Sequence, residues 1–148
     1  MKTSQRGIAL IKKFEGCRLK AYKCPANIWT IGYGHTGVVN GKPITEKTTI
    51  TELMAETLLV IDLQRFEKAI NQLVKKPLTQ NNFDSLISFV FNIGISAFEK
   101  SSMLKLINQG HFDLAAQQFD RWIYGGGKKL AGLIKRRAEE KMLFLSLE

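Results

Sequence analysis

A run of apolar residues at helical spacing opens at Thr51 and continues almost to Pro77. Leu53, Met54, Leu58, Ile61, Leu63, Phe66, Ile70 and Leu73 fall mostly three or four positions apart, which predicts one helix over about 51–74. A helix of that length is well above the average of roughly 10–14 residues and spans about 30 Å. It is long enough to link two lobes. A chain of 148 residues makes one domain, or two small lobes sharing a core. The segments on either side of the long helix differ in character, as two lobes would.

Before it, Ser4 is placed to cap a first helix, Ile8, Leu10, Ile11 and Phe14 give that helix an apolar face, and Gly16 is placed to end it. Leu19–Tyr22, then Cys24-Pro25-Ala26-Asn27, then Ile28–Ile31 reads as strand, turn, strand. Gly32, Gly34, Gly37 and Gly41 follow, with Asn40-Gly41 a second hairpin turn. Two or three short strands are expected over residues 18–45. Past Pro77, Thr79 opens a helix through Phe83, Leu86, Ile87, Val90 and Phe91 that ends near Gly94. Further helices are expected at about 101–108, 112–123 and 132–145, punctuated by Gly110 and Gly125-Gly126-Gly127. The expected class is α+β, one domain over 1–148. It comprises a sheet-bearing lobe over 15–50, the long helix, and a helical lobe over 75–148 joined by residues 1–14. A cleft between two such lobes is a common place for a site.

Lys and Arg number 22 against 13 Asp and Glu, a net charge of +9. Eight of the basic residues but only one acid, Glu15, precede Glu46. The excess favours polyanionic partners: nucleic acid, an anionic membrane surface or an acidic cell wall. Hydrophobic residues at 45% argue against disorder. No apolar run reaches the roughly 18–20 residues of a membrane span. Lys12, Lys13 and Glu15 spoil the N-terminus as a signal peptide, so synthesis and folding in a cytosol are expected. Cys17 and Cys24 are too few for a disulfide framework. With only His35 and His111 beside them, neither a metal site nor a cofactor is expected.

Glu15 lies at the predicted C-terminal end of the first helix. A carboxylate there meets the negative end of the macrodipole, which favours its protonated form. A Glu held protonated near neutral pH is what a general acid needs. The plainer alternative is a surface Glu paired with Lys12 or Arg18. The cysteines are expected as free thiols, Cys17 as a buried small apolar residue, against the alternative of a Cys17–Cys24 disulfide. His35 is expected to be a structural histidine paired with a carboxylate.

Residues 14–36, Phe-Glu-Gly-Cys-Arg-Leu-Lys-Ala-Tyr-Lys-Cys-Pro-Ala-Asn-Ile-Trp-Thr-Ile-Gly-Tyr-Gly-His-Thr, closely resemble the active-site segment of bacteriophage-type lysozymes (endolysins, glycoside hydrolase family 24). The family pattern is Glu-Gly, a basic residue, Leu, then Tyr, a catalytic position, a turn and Thr-Ile-Gly-x-Gly-His. The likeness continues through Leu78–Asn81, Asp84–Leu86, Phe89–Gly94, Arg121-Trp122, Gly132-Leu133 and Arg136–Glu139, and is weakest around 40–75. It implies a lysozyme-like α+β fold and cleavage of peptidoglycan glycan strands between N-acetylmuramic acid and N-acetylglucosamine. Glu15 then falls on the family's general acid, and Thr30 on the threonine that helps hold the attacking water. Phe91, Asn92 and Thr36 fall on substrate-binding positions, with the core as the equal alternative for Phe91, while Trp122 is expected in the core.

Cys24 falls where many members carry an aspartate. Glycoside hydrolysis ordinarily uses two carboxylates, and Glu15 is the only acid before Glu46. A thiolate is a competent base and nucleophile, and Arg18, Lys20 and Lys23 are expected to favour it. Cys24 is therefore read as base, nucleophile or water-orienting group, with inversion implied by the resemblance. Three alternatives stay open: a lytic transglycosylase using Glu15 alone, a non-catalytic wall binder and a basic nucleic-acid binder. No motif for specific nucleic-acid recognition is present.

Lys128, Lys129, Lys135, Arg136, Arg137 and Lys141 make the last helix basic and amphipathic, a solvated face or a contact for an anionic envelope surface. The resemblance further implies synthesis in a host cytoplasm and release to the wall through a holin. A monomer is expected.

Overall fold

The computed structural model describes residues 1–147. Two compact units divide the chain: Ala9–Gln64, and Met1–Ile8 together with Arg65–Glu148. Both boundaries fall inside helices, in α1 (Gln5–Glu15) and α2 (Glu52–Leu73). The long helix is thus one element of 22 residues, within two residues of its expected limits. Leu53 and Ile61, counted on its apolar stripe, are exposed, whereas Leu59, Leu63, Phe66 and Ile70 are buried.

The first unit carries the sheet. β1 (Arg18–Lys23), β2 (Trp29–Gly32) and β3 (His35–Thr36) pair antiparallel in chain order. A hairpin of β4 (Val38–Val39) and β5 (Lys42–Pro43) follows, so there are five short strands rather than two or three. Asn40 at φ 51° and Gly41 at φ 76° form its turn, as Asn-Gly chemistry requires. Alternation fixes the faces of β2. Ile31 joins a core of Val39, Ile44, Ile50 and Ala55, with Trp29 packed against it, while Thr30 points to the other side.

The helical unit is built around α3 (Gln80–Ile93). Residues 81–90 are buried without exception, as in a helix surrounded by others. Thr79 caps it as expected, in a box with Asn82, and Gly94 ends it. α4 (Ile95–Glu99), absent from the expectation, restarts one residue later and precedes α5 (Ser102–Asn108) and α6 (Phe112–Gln117). The expected helix over 112–123 stops earlier and tightens into a 3₁₀ turn over Gln118–Arg121. The triple glycine forms a hairpin between β6 (Tyr124–Gly125) and β7 (Lys128–Lys129), and α7 (Ala131–Leu145) closes the chain. Among the described residues, no helix is long and apolar enough to cross a membrane.

One further expectation gains a distant partner, and another changes. Ser4 stands at the N-cap position of α1, its carbonyl accepting from Ile8 N–H at 3.0 Å, but its hydroxyl and its N–H both donate to Asp84 of α3, the amide at 2.9 Å. Arg136 and Arg137 are 4% and 1% exposed, so α7 does not present them to solvent or to a membrane. Sequence spacing alone cannot separate a charged face from a buried ion network, because both read as basic residues beside apolar ones.

Asp84 also fixes what Gly7 can be. A Cβ on Gly7 would lie 2.9 Å from the Asp84 carboxyl carbon and 2.6 Å from Thr3 Cγ2. Asp84 cannot retreat without breaking its bonds to Ser4 and Gln80. Gly7→Ala would gain up to about 1 kcal/mol of helix propensity, but overpacking costs roughly 1–3 kcal/mol. Urea denaturation is expected to show a net loss.

Candidate active site

Glu15 is the last residue of α1, and is half-buried. Gly16 leaves the helix at φ 69°, a left-handed conformation that favours glycine, and its N–H bonds Lys12 O at 3.2 Å. Two residues later β1 begins, with Arg18 opposite Gly32 at the end of β2. The helix end is thus delivered to the sheet. Nearby, Lys12 bonds Glu56 at 2.8 Å, and the Arg18 guanidinium lies 4.5 Å from the centre of the Tyr22 ring.

Cys24 opens the turn between β1 and β2. Its N–H donates to Ile28 O at 3.0 Å and its carbonyl accepts from Asn27 N–H at 2.8 Å, with Asn27 at φ 63°. The backbone of Ile28 favours the thiolate most, followed among the lowering contacts by that of Ala26 and the Thr30 hydroxyl, so the Cys24 thiol is held below its ordinary range. The expected cause was the lysines and arginine of β1. The leading causes are instead backbone groups of the turn itself, and partial burial works against them. Both cysteines are free, and Cys17, expected inside, is exposed.

Thr30 is buried, and its hydroxyl donates to Ile28 O at 2.9 Å. It has one proton, deliverable either to that carbonyl or to the Cys24 sulfur. Thr30 lies opposite Tyr22 on one side and Thr36 on the other, so all three side chains share a sheet face. Thr36 is exposed. Cys24, Thr30 and Thr36 are therefore gathered on one small sheet.

His35 meets its expected carboxylate: Nδ1 lies 2.8 Å from Asp62 Oδ2, and Nε2 2.8 Å from Val38 O. Both ring nitrogens are committed to structure.

In the helical unit, Phe91 is half-buried, edge-on to Phe66 at 5.3 Å. Asn92 is exposed, and its side-chain oxygen accepts from Arg137. Asn92 lines a cavity of about 390 Å³ with Ile93, Arg121, Trp122, Tyr124 and Leu133. Trp122, expected in the core, packs edge-on against Phe89 at 5.7 Å and also lines this cavity.

Sequence reasoning missed Glu140. It is 0% exposed, accepts from Arg137 at 2.8 Å and Arg136 at 3.2 Å, and receives the Ser88 hydroxyl at 2.6 Å. The signal was present: Glu140 stands three and four residues after the two arginines, the spacing of neighbours on one helix face.

A glutamate closing the first helix, a small antiparallel sheet and a helical unit around a buried central helix define a lysozyme fold. The crystal structure of P22 lysozyme mutant L86M aligns at TM-score 0.92 and 44% identity, covering 99% of each chain. The muramidase domain of SpmX from Asticaccaulis excentricus aligns at 0.91 and 46%, again over 99% of each. The Phage lysozyme family profile matches residues 12–140, and the chain belongs to that family. The endolysin of Salmonella phage P22 is 45% identical over 146 residues, 99% of both chains. The endolysin of Bacillus phage PZA is 46% identical over 148 residues, 99% of this chain but 56% of that protein, so this chain spans little more than half of it.

Proposed function

We propose that this chain is a muramidase that hydrolyses the β-1,4 bond between N-acetylmuramic acid and N-acetylglucosamine in peptidoglycan, the reaction by which an endolysin lyses its host. The observation that carries this reading is Glu15 at the close of α1, just before β1 begins at Arg18, in a chain of the phage lysozyme family.

Glu15 gives its proton to the glycosidic oxygen as the bond to the anomeric carbon breaks. A water attacks that carbon from the opposite face. Thr30 orients the water and the Cys24 thiolate takes its proton, giving an inverted reducing end. Glu15 ends as carboxylate and Cys24 as thiol, and solvent exchange restores both. The lowered thiol supports Cys24 as base, because more of it is ionised at neutral pH than of an ordinary cysteine. Phe91, Asn92 and Thr36 bind the glycan strand. The chain acts as a monomeric single domain without cofactor. It is made in a host cytoplasm and reaches the wall after a holin opens the inner membrane. Any contact with anionic envelope rests on the exposed Lys128, Lys129 and Lys135.

Turbidity loss of isolated cell walls tests the activity, and mass spectrometry of the digest tests the reaction. Reducing ends are expected. Anhydro-muramic ends would assign transglycosylation, which the lack of an aspartate at position 24 makes the serious rival. Cys24→Ser is expected to lose most turnover and Cys24→Asp to retain it. A Cys24→Ser protein as fast as the parent removes Cys24 from the chemistry.

The rate of iodoacetamide alkylation at Cys24 should rise with pH to a midpoint below that of a free thiol. The same shift has a stability sign. A thiol whose folded value is depressed stabilises the fold fully above the unfolded thiol's value, and that contribution is lost as pH falls through the folded value.

A further inference from the structure

The buried charges of α7 have an outlet at the surface. Glu140 divides its carboxylate between two arginines, one oxygen to Arg137 Nη1 at 2.8 Å and the other to Arg136 Nε at 3.2 Å. Ser88 of α3 ties this second oxygen down at 2.6 Å, and Arg136 Nη2 donates to Ser88 O at 2.9 Å. Arg137 is sandwiched further, its guanidinium 4.9 Å from the centre of the Phe89 ring. Held on these sides, Arg137 directs Nη2 at the Asn92 side-chain oxygen.

A guanidinium has donors and no acceptor. The group of Asn92 that faces Arg137 must therefore be its oxygen, and the amide nitrogen is turned away. Asn92 lies at the end of α3, where the helix reaches the surface and lines the cavity with Arg121, Trp122 and Tyr124. What it can present to a ligand there is a pair of N–H donors.

We propose that Glu140 is a positioning residue: through Arg137 it fixes the Asn92 amide so that this side chain recognises a carbonyl acceptor on the peptidoglycan strand, such as an N-acetyl oxygen. The inference rests on the reading of the chain as a peptidoglycan hydrolase and adds the polarity of one contact. Asn92→Asp reverses that polarity. Aspartate keeps the shape and still accepts from Arg137, but it has no donor to offer.

Binding of a purified disaccharide-tetrapeptide fragment is measured by calorimetry, beside steady-state turnover of soluble glycan strands. Asn92→Asp is expected to weaken fragment binding and raise KM on the order of tenfold or more, the loss of one donor to a ligand acceptor. Its kcat should stay within about twofold of the parent, because the contact is made in ground and transition states alike. Thermal unfolding should be unchanged or raised. Glu140→Gln, studied at a temperature where circular dichroism shows it folded, should shift KM in the same direction and by less. Parent-like affinity and KM in Asn92→Asp overturn the inference while leaving the muramidase reading intact. A parent that binds the fragment but cleaves no wall overturns the muramidase reading alone, and the calorimetric comparison still decides the polarity. A parent that neither binds nor cleaves overturns both.

Discussion

Glu15→Gln is expected to leave the protein folded and reduce wall lysis by about 10²–10⁴, the usual contribution of a positioned general acid. Glutamine has nearly the same shape, and the position is the half-buried last residue of a helix, so the substitution removes a transferable proton and little packing. Turbidity loss measures the effect, with circular dichroism as the check on folding. The chemistry gives a sharper version. An aryl glycoside departs as a stable phenolate and needs little protonation. On such a substrate the Glu15→Gln loss should shrink, while the Cys24→Ser loss, which concerns the incoming water, should not. Equal losses on both substrates would place Glu15 outside the leaving-group step.

Glu140→Ala is expected to destabilise the fold by about 3–5 kcal/mol, because it removes a fully buried carboxylate that pairs with two buried guanidiniums. That is a large part of the roughly 5–15 kcal/mol by which such a domain is stable. The penalty belongs to the lost compensation of buried charge rather than to the value of the ion pairs. Replacing Glu140, Arg136 and Arg137 together by apolar residues of similar volume should therefore recover most of the loss. Urea denaturation of the single and triple variants measures both. A single variant that loses less than about 1 kcal/mol would mean the two arginines are satisfied without Glu140.

The sequence made the helices and the sheet lobe legible because their signals are local: apolar residues three or four apart over 51–74, Thr79 ahead of an apolar run, and Asn40-Gly41 in a tight turn. Glu15, Cys24 and Thr30 are candidates because a long motif marks them, and the pairing of His35 was legible through the rule that a lone histidine seeks a carboxylate. What stayed hidden depends on partners distant in the chain. Ser4 marks the start of α1, but nothing near it in the chain announces that Asp84, eighty residues on, takes its hydroxyl. Arg136 and Arg137 look solvated until Ser88 and Asn92 are brought beside them from α3. The Cys24 environment was hidden for another reason. Its basic neighbours are conspicuous in a list of residues, whereas the backbone groups around its sulfur have no letter of their own.

The division of the chain has a consequence for biosynthesis. Met1–Ile8 are made before Ala9–Gln64, yet they belong to the unit that otherwise begins at Arg65. Thr3 donates to Glu67 at 2.7 Å, and Ser4 waits for a partner 80 residues downstream. At about 5–20 residues per second, that partner is translated some 4–16 s later. Ala9–Gln64 is continuous and complete on the page of the message long before then. The nascent chain therefore carries Met1–Ile8 without these contacts until Glu67 and Asp84 have been made.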